Sequence, residues 1–206
     1  MSTTTAMLLI VDRSGSMSSI QMEAEQALND FLTKQKAVDG RCGVKVVQFD
    51  GEVEDLFGPV ALAQAPEIKI VPRGMTALLD AIGKSVTEFR ETMDHMPVDK
   101  RLVVILTDGL ENVSQEWKLD AVNKLISESR GLGYEFIFLA ANQDAIATGA
   151  QMGIPTASSL TFAASPAGVR GMGMTMDMYV TNYREGKAAE FTDQDRATAS
   201  GLTDED

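Results

Sequence analysis

The feature that most constrains this chain is a set of short apolar runs: MLLIV at 7–11, VKVVQF at 44–49, LVVIL at 102–106 and FIFLA at 136–140. A strand wetted on one face alternates apolar and polar residues. A strand buried on both faces reads instead as a near-continuous stretch rich in Val, Ile and Leu, and most of these runs have that form. A weaker fifth run covers Leu160 to Ala163. Longer segments with helical periodicity separate them, and that alternation argues for a mostly parallel sheet with helices on both faces.

The helical segments can be placed by their apolar stripes. Ile20 to Val38 is apolar at 20, 24, 27, 28, 31 and 32, and Asp39-Gly40 closes it. Thr76 to Met93 carries Leu79, Ile82, Val86 and Phe89 on one face, and Trp117 to Ser129 carries Leu119, Val122, Leu125 and Ile126. A short helix is expected from Asn142, as N-cap, to Met152, closed by Gly153. Methionines at 172, 174, 176 and 178 imitate a strand of period two. With Ser165 as cap and Pro166 in the first turn, however, Val169, Met172, Met176, Tyr179, Val180 and Tyr183 form one stripe, so a helix with core-filling methionines is expected.

One strand differs from the others. GEVEDLF at 51–57 alternates and follows Asp50-Gly51, a turn signal directly after a buried run, which predicts a hairpin and an antiparallel edge strand. From Ala188 the chain becomes polar and acidic. The expectation is one domain over 1–187 and a mobile tail over 188–206.

Composition narrows the function. The chain has 18 Lys and Arg against 30 Asp and Glu, a net charge of −12, with its cations scattered. A phosphate backbone would meet an unfavourable field, so nucleic acid is not expected as a partner. No apolar run approaches the ~18 residues of a membrane span and the N-terminus has no signal-type core, so no membrane association is expected and the cytoplasm is the expected compartment. Cys42 is the single cysteine and His95 the single histidine, which argues against disulfides and zinc sites of the Cys/His type. Nothing in the sequence brings these two together as a nucleophile and its base.

In a parallel sheet, ligand sites lie beyond the carboxyl ends of the strands. The first run ends there in Asp12-Arg13-Ser14-Gly15-Ser16, and the run at 102–106 ends in Thr107-Asp108-Gly109. A loop, Pro72-Arg73-Gly74-Met75-Thr76, delivers a hydroxyl just before a helix. Asp12, Ser14, Ser16, Thr76 and Asp108 therefore form a candidate donor set made only of oxygen. Hard oxygen donors suit Mg²⁺ or Mn²⁺, and hydroxyls leave the ion only partly neutralised. These side chains need not fill all six positions of an octahedral ion. Met17, Arg73, Met75, Leu110, Glu111 and Asn112 are expected on the exposed rim, with Arg73 placed to help receive a carboxylate.

These three motifs together resemble the von Willebrand factor A domain family. Asp12 to Ser16 is similar to its D-x-S-x-S motif, Gly74-Met75-Thr76 to its threonine loop, and Thr107-Asp108-Gly109 to its second aspartate. The resemblance implies a doubly wound, Rossmann-like sheet with a magnesium-binding metal-ion-dependent adhesion site at its top. It also implies that an Asp or Glu from a partner protein completes the coordination, so the site binds and does not catalyse. The DRSGSM form resembles stand-alone bacterial and bacteriophage members, including those linked to tellurite resistance or to AAA+ ATPases. Two other readings compete. One is a structural subunit of a phage particle or large assembly, and the other is a metal-dependent phosphohydrolase with Glu111 as base. The latter has no G-x-x-x-x-G-K-[ST] loop to support it.

Overall fold

The computed structural model describes residues 3–141 and 144–201. Six strands form one sheet: β1 (Thr4–Asp12), β2 (Arg41–Phe49), β3 (Val53–Ala61), β4 (Lys100–Thr107), β5 (Tyr134–Ala141) and β6 (Ser159–Phe162). Their order is β3-β2-β1-β4-β5-β6, and every neighbouring pair is parallel except β2 with β3. The mostly parallel sheet with one antiparallel edge strand is thus what the apolar runs and the Asp50-Gly51 turn predict, and its Rossmann-like, doubly wound form is what the resemblance implies. In this order the chain reverses direction of travel between β1 and β4, and the crevice at such a switch point is where open α/β sheets bind ligands.

Both faces of the sheet are covered, which is why its strands read as unbroken apolar runs. Met7, Leu9 and Val11 point into one core, beneath helices α1 (Gln21–Gln35) and α5 (Pro166–Glu185). Ala6, Leu8 and Ile10 point into the other, beneath α2 (Leu78–Met93), α3 (Leu119–Gly131) and α4 (Ala145–Gln151). The methionine segment is helical as expected, and the helix resolves its period-two appearance. Met172 and Met176 are buried in the core, whereas Met174 and Met178 face solvent at 61% and 50% exposure. Helix α4 begins later than expected, at Ala145, with Asp144 as its N-cap accepting from the Ala147 N–H. Asn142 itself lies outside the described residues.

The expected mobile tail over 188–206 is corrected as far as Gly201. Residues Asp193–Ala199 form a helix, α6, opened by a capping box in which Thr192 and Asp195 satisfy each other's backbone. Phe191 and Ala199 are buried in the α1–α5 core, and the Arg196 guanidinium donates to Ser159 O at 2.7 Å and Thr156 O at 2.8 Å. Composition concealed this because few apolar residues carry the docking: Phe191 and Ala199 are buried and Ala189 packs beside them. The close approach depends on Gly171, where a Cβ would lie 2.2 Å from Thr198 O. Among the described residues, no helix is long and apolar enough to cross a membrane.

Candidate metal centre

The carboxyl ends of β1 and β4, the two strands flanking the switch point, place Asp12 and Asp108 side by side. Asp12 is fully buried. Its Oδ1 accepts from the Ser14 N–H at 2.6 Å, and its Oδ2 from the Thr107 hydroxyl at 2.5 Å. The first contact is a tight turn that folds the loop back over the strand end. It presents the Ser14 hydroxyl 3.0 Å from the Ser16 hydroxyl, which in turn donates to Asp108 Oδ1 at 2.7 Å. Ser14 is buried, Ser16 is exposed, and the polar face therefore opens to solvent through Ser16.

Thr76 joins this cluster from the loop before α2. The Gly15 N–H donates to Gly74 O at 3.3 Å and the Arg73 N–H to Arg13 O at 2.8 Å, so the two loops run edge to edge. From the other side, the Thr76 N–H donates to Asn112 Oδ1 (3.0 Å), and the Asn112 N–H donates to Thr76 O (3.1 Å). Gly109 closes the circle. A Cβ there would sit 2.8 Å from Thr76 Oγ1 and 3.5 Å from Ser16 Oγ, so only glycine leaves the space between these hydroxyls open. All five sequence-predicted donors are thus brought to one edge of the sheet.

Electrostatics at the cluster favour a cation. Burial is the main cause that pushes the Asp12 carboxyl up to about 6, against the lowering effect of the Thr107 and Ser14 hydrogen bonds; the nearby Asp108 adds to the rise. Burial also raises Asp108, partly offset by the Ser16 hydrogen bond. Two carboxylates whose charges are unwelcome, beside hydroxyls that add none, fit a hard divalent ion. Among the described residues there is no group of three or more His, Cys, Asp and Glu side chains suited to a metal, so any such site rests on hydroxyls as well as carboxylates.

The rim departs from expectation at three residues. Met17 is fully buried in the α1–α5 core, because the short 3₁₀ turn over Gly15–Ser19 points it inward. Arg73 is half exposed but already engaged: its Nε donates to Asp50 Oδ2 at 2.6 Å, and one terminal nitrogen donates to Glu54 at 3.0 Å. Glu111 is also engaged. Its Oε1 accepts from the Val113 and Ser114 N–H groups, and its Oε2 from the Leu79 N–H and the Ser114 hydroxyl, all within 2.9 Å. Met75 (53%) and Leu110 (66%) remain exposed as expected, and so does Asn112.

Two further residues shape the site in roles that no sequence motif marks. In the sequence Thr107 stands out only as part of its motif, yet its hydroxyl is the closest partner of Asp12. In the sequence Asp50 reads as a turn residue, yet its Oδ2 receives both Arg13 Nε (3.0 Å) and Arg73 Nε (2.6 Å), while its backbone carbonyl accepts the Ala77 N–H. The signal for Asp50 was present: in an acidic chain, two arginines fall within three residues of candidate ligands.

An oxygen-lined cluster at the switch point of a Rossmann-like sheet defines a class of α/β domains with a candidate cation site at the strand ends. Comparison with family models narrows this further, since residues 7–111 match the von Willebrand factor type A domain, about half of the chain. The chain belongs to that family. Comparison with curated proteins gives no sequence match.

Solved structures agree on the fold. The von Willebrand factor domain of the type V pili tip protein Mfa5 from Porphyromonas gingivalis superposes with a TM-score of 0.64 at 12% identity, covering 94% of this chain and 99% of that one. Proximal thread matrix protein 1 from the mussel byssus gives 0.63 at 15% identity, covering 87% of this chain and 46% of that one. A von Willebrand factor type A protein from Catenulispora acidiphila gives 0.62 at 14% identity, covering 87% and 43%. The chain thus spans less than half the length of the mussel and Catenulispora proteins it matches. Another structure of the mussel protein is described as having a zinc-occupied adhesion-site motif.

Proposed function

We propose that this domain binds a divalent cation, Mg²⁺ or Mn²⁺, through Asp12, Ser14, Ser16, Thr76 and Asp108, and uses it to recognise another protein. The observation that carries this reading is the convergence of two poorly stabilised carboxylates and three hydroxyls on one opening at the switch point. A bound divalent cation supplies a positively charged coordination position that an Asp or Glu of the partner can fill. The chain's own residues set up that position. Thr107 and the Ser14 N–H fix Asp12, Ser16 fixes Asp108, and Asn112 fixes the Thr76 loop. Because the hydroxyls are neutral, the ion's charge is left largely available to the partner.

The partner is a protein, with an AAA+ ATPase or a component of a large assembly as the kind that the family resemblance favours, and the setting is cytoplasmic. Other observations weigh against the phosphohydrolase reading. Glu111, the candidate base, accepts four hydrogen bonds from its own loop and α2, and the two arginines that flank the site, Arg13 and Arg73, are held by Asp50 and Glu54 and so are not free to clamp a phosphate. The structural-subunit reading differs only in the identity of the partner, a neighbouring copy or capsid component.

The test is capture from host lysate with the full chain as bait, in Mg²⁺, in EDTA, and with Asp12→Ala. A protein retained only by the unmodified chain in Mg²⁺ is the expected outcome. Equal retention in all three arms refutes the reading, and size-exclusion chromatography with and without chelator separates a partner from self-association.

A further inference from the structure

The rim of the centre is chemically two-sided, and the strand order says which side is which. The β2–β3 hairpin lies on one side of β1, and β4 lies on the other. On the β4 side, Leu110 follows Gly109 and is 66% exposed; Met75, 53% exposed, stands between the flanks, on a loop that meets Asp50 through Arg73 and Ala77 and the β4 loop through Thr76. They belong to one surface, because Asn112 and Thr76 exchange two hydrogen bonds between the loops that carry them. Apolar side chains left in water beside a binding position are where a partner can bury one of its own.

On the β2 side, Asp50, Glu52 and Glu54 carry three negative charges against the two positive charges of Arg13 and Arg73. Glu52 has the loosest contact of the group, 3.6 Å to Arg73, and its side chain is 75% exposed. The surplus negative charge therefore lies at the outer end of the cluster, where it repels an acidic neighbour and attracts a basic one. The strand ends from which the two flanks spring, those of β2 and β4, are two strand spacings or roughly 10 Å apart. About three extended residues cover that distance.

We propose that the carboxylate-bearing segment of the partner is differentiated along its length. Its Asp or Glu is flanked on one side by an apolar residue seated on Met75 and Leu110. On the other side, about three residues away, it carries a Lys or Arg facing Glu52. This inference rests on the carboxylate reading above and adds to it the chemistry of the partner. Any acidic segment can offer a carboxylate to a cation; the flanks supply discrimination, and Glu52 acts against segments that are acidic throughout.

The probes are synthetic nonapeptides with a central Glu, titrated into the full chain in Mg²⁺ and read by fluorescence anisotropy. One set has Leu beside the Glu and Lys three residues to the other side, in both sequence orders; the others have Ala or Asp on both flanks. The better Leu/Lys order is expected to bind at least about tenfold tighter than the Ala set, and the Asp set weakest. Leu110→Ser should erase the preference for Leu, and Glu52→Lys should turn the preference toward Asp flanks. Calorimetric Mg²⁺ affinity should stay within about twofold in both variants, which shows that the site itself is intact. Equal binding of all flanks, with loss only when the central Glu is replaced by Gln, overturns this inference and leaves the carboxylate reading standing. Indifference to that replacement or to Mg²⁺ removal, or no binding of any peptide, overturns the carboxylate reading and this inference with it.

Discussion

Asp12 and Asp50 stand at the ends of neighbouring parallel strands, both nearly inaccessible to water, and their surroundings could hardly differ more. Asp50 is answered by two guanidinium groups and the Glu52 N–H. These outweigh the burial that would raise its pKa and hold the carboxyl below the usual range. Asp12 is answered by one N–H and one hydroxyl, both neutral, and has a second carboxylate nearby; burial wins and its pKa rises to about 6. A carboxylate with its own cations is part of the scaffold. One held in place without a cation is waiting for one, and that difference separates the hairpin from the candidate metal centre.

The largest effect that could break this contrast is the loss of metal binding. Asp12→Ala removes one of only two charged donors, so Mg²⁺ heat in calorimetry should fall at least about a hundredfold in affinity, to below detection. Asp50→Ala should leave binding within about tenfold, because the Asp50 side chain reaches the donor loops through Arg13 and Arg73, and its backbone bond to the Ala77 N–H stays in the variant. Comparable losses in both variants would erase the distinction.

Stability without metal should move in opposite directions at the two sites. The folded Asp12 pKa of about 6 lies above its unfolded value of 3.8. Its contribution is therefore fully present below pH 3.8 and is lost as pH rises through about 6, leaving a deficit of about 3 kcal/mol at pH 7.5. Asp12→Asn, neutral and nearly isosteric, should recover part of this and raise the metal-free Tm by about 4–8 °C at pH 7.5. Asp50→Asn leaves Arg13, with a side chain 10% exposed, short of one partner. It should cost about 2–3 kcal/mol, less than a fully broken buried pair because Glu54 remains and Arg73 is half exposed. Chelated samples of both variants in thermal melts would decide the matter, and a falling Tm in both would refute the account of Asp12.

The sequence reveals one of these two carboxylates and hides the other, for a physical reason. Asp12, Ser14, Ser16, Thr76 and Asp108 are legible because each sits next to a strand end or a helix start, and strand ends follow from where the apolar runs stop. Asp50 also follows a strand, but its partners Arg13 and Arg73 arrive from loops 37 and 23 residues away, and pairing across such separations has no local signature. The same limit applies to Met17. Its position two residues from a solvent-facing glycine suggests a rim residue, whereas the 3₁₀ turn over Gly15–Ser19 buries it. Helix α6 escaped for want of an apolar stripe, since a capping box, one arginine and the contact at Gly171 hold it instead.

Metal binding should also carry the pH signature of Asp12. The ion must displace the proton, so Mg²⁺ affinity should hold above pH 7 and fall about tenfold per unit below about 6. Affinity that is flat from pH 7.5 to 5 would mean that Asp12 is not the group titrating.

The finest test acts through Thr107. Its hydroxyl is the foremost influence lowering the Asp12 pKa, and Thr107→Val removes that donor with almost no change of shape. The carboxyl should then hold its proton more firmly, and the pH of half-maximal Mg²⁺ binding should move upward by about one unit or less. Thr107→Ser keeps the hydroxyl and should restore the original midpoint, which a simple packing defect at the end of β4 would not do. The direction matters more than the size. If the hydroxyl merely filled space, Val would weaken binding equally at every pH; a midpoint that shifts shows that one neutral donor tunes how readily Asp12 exchanges its proton for a cation.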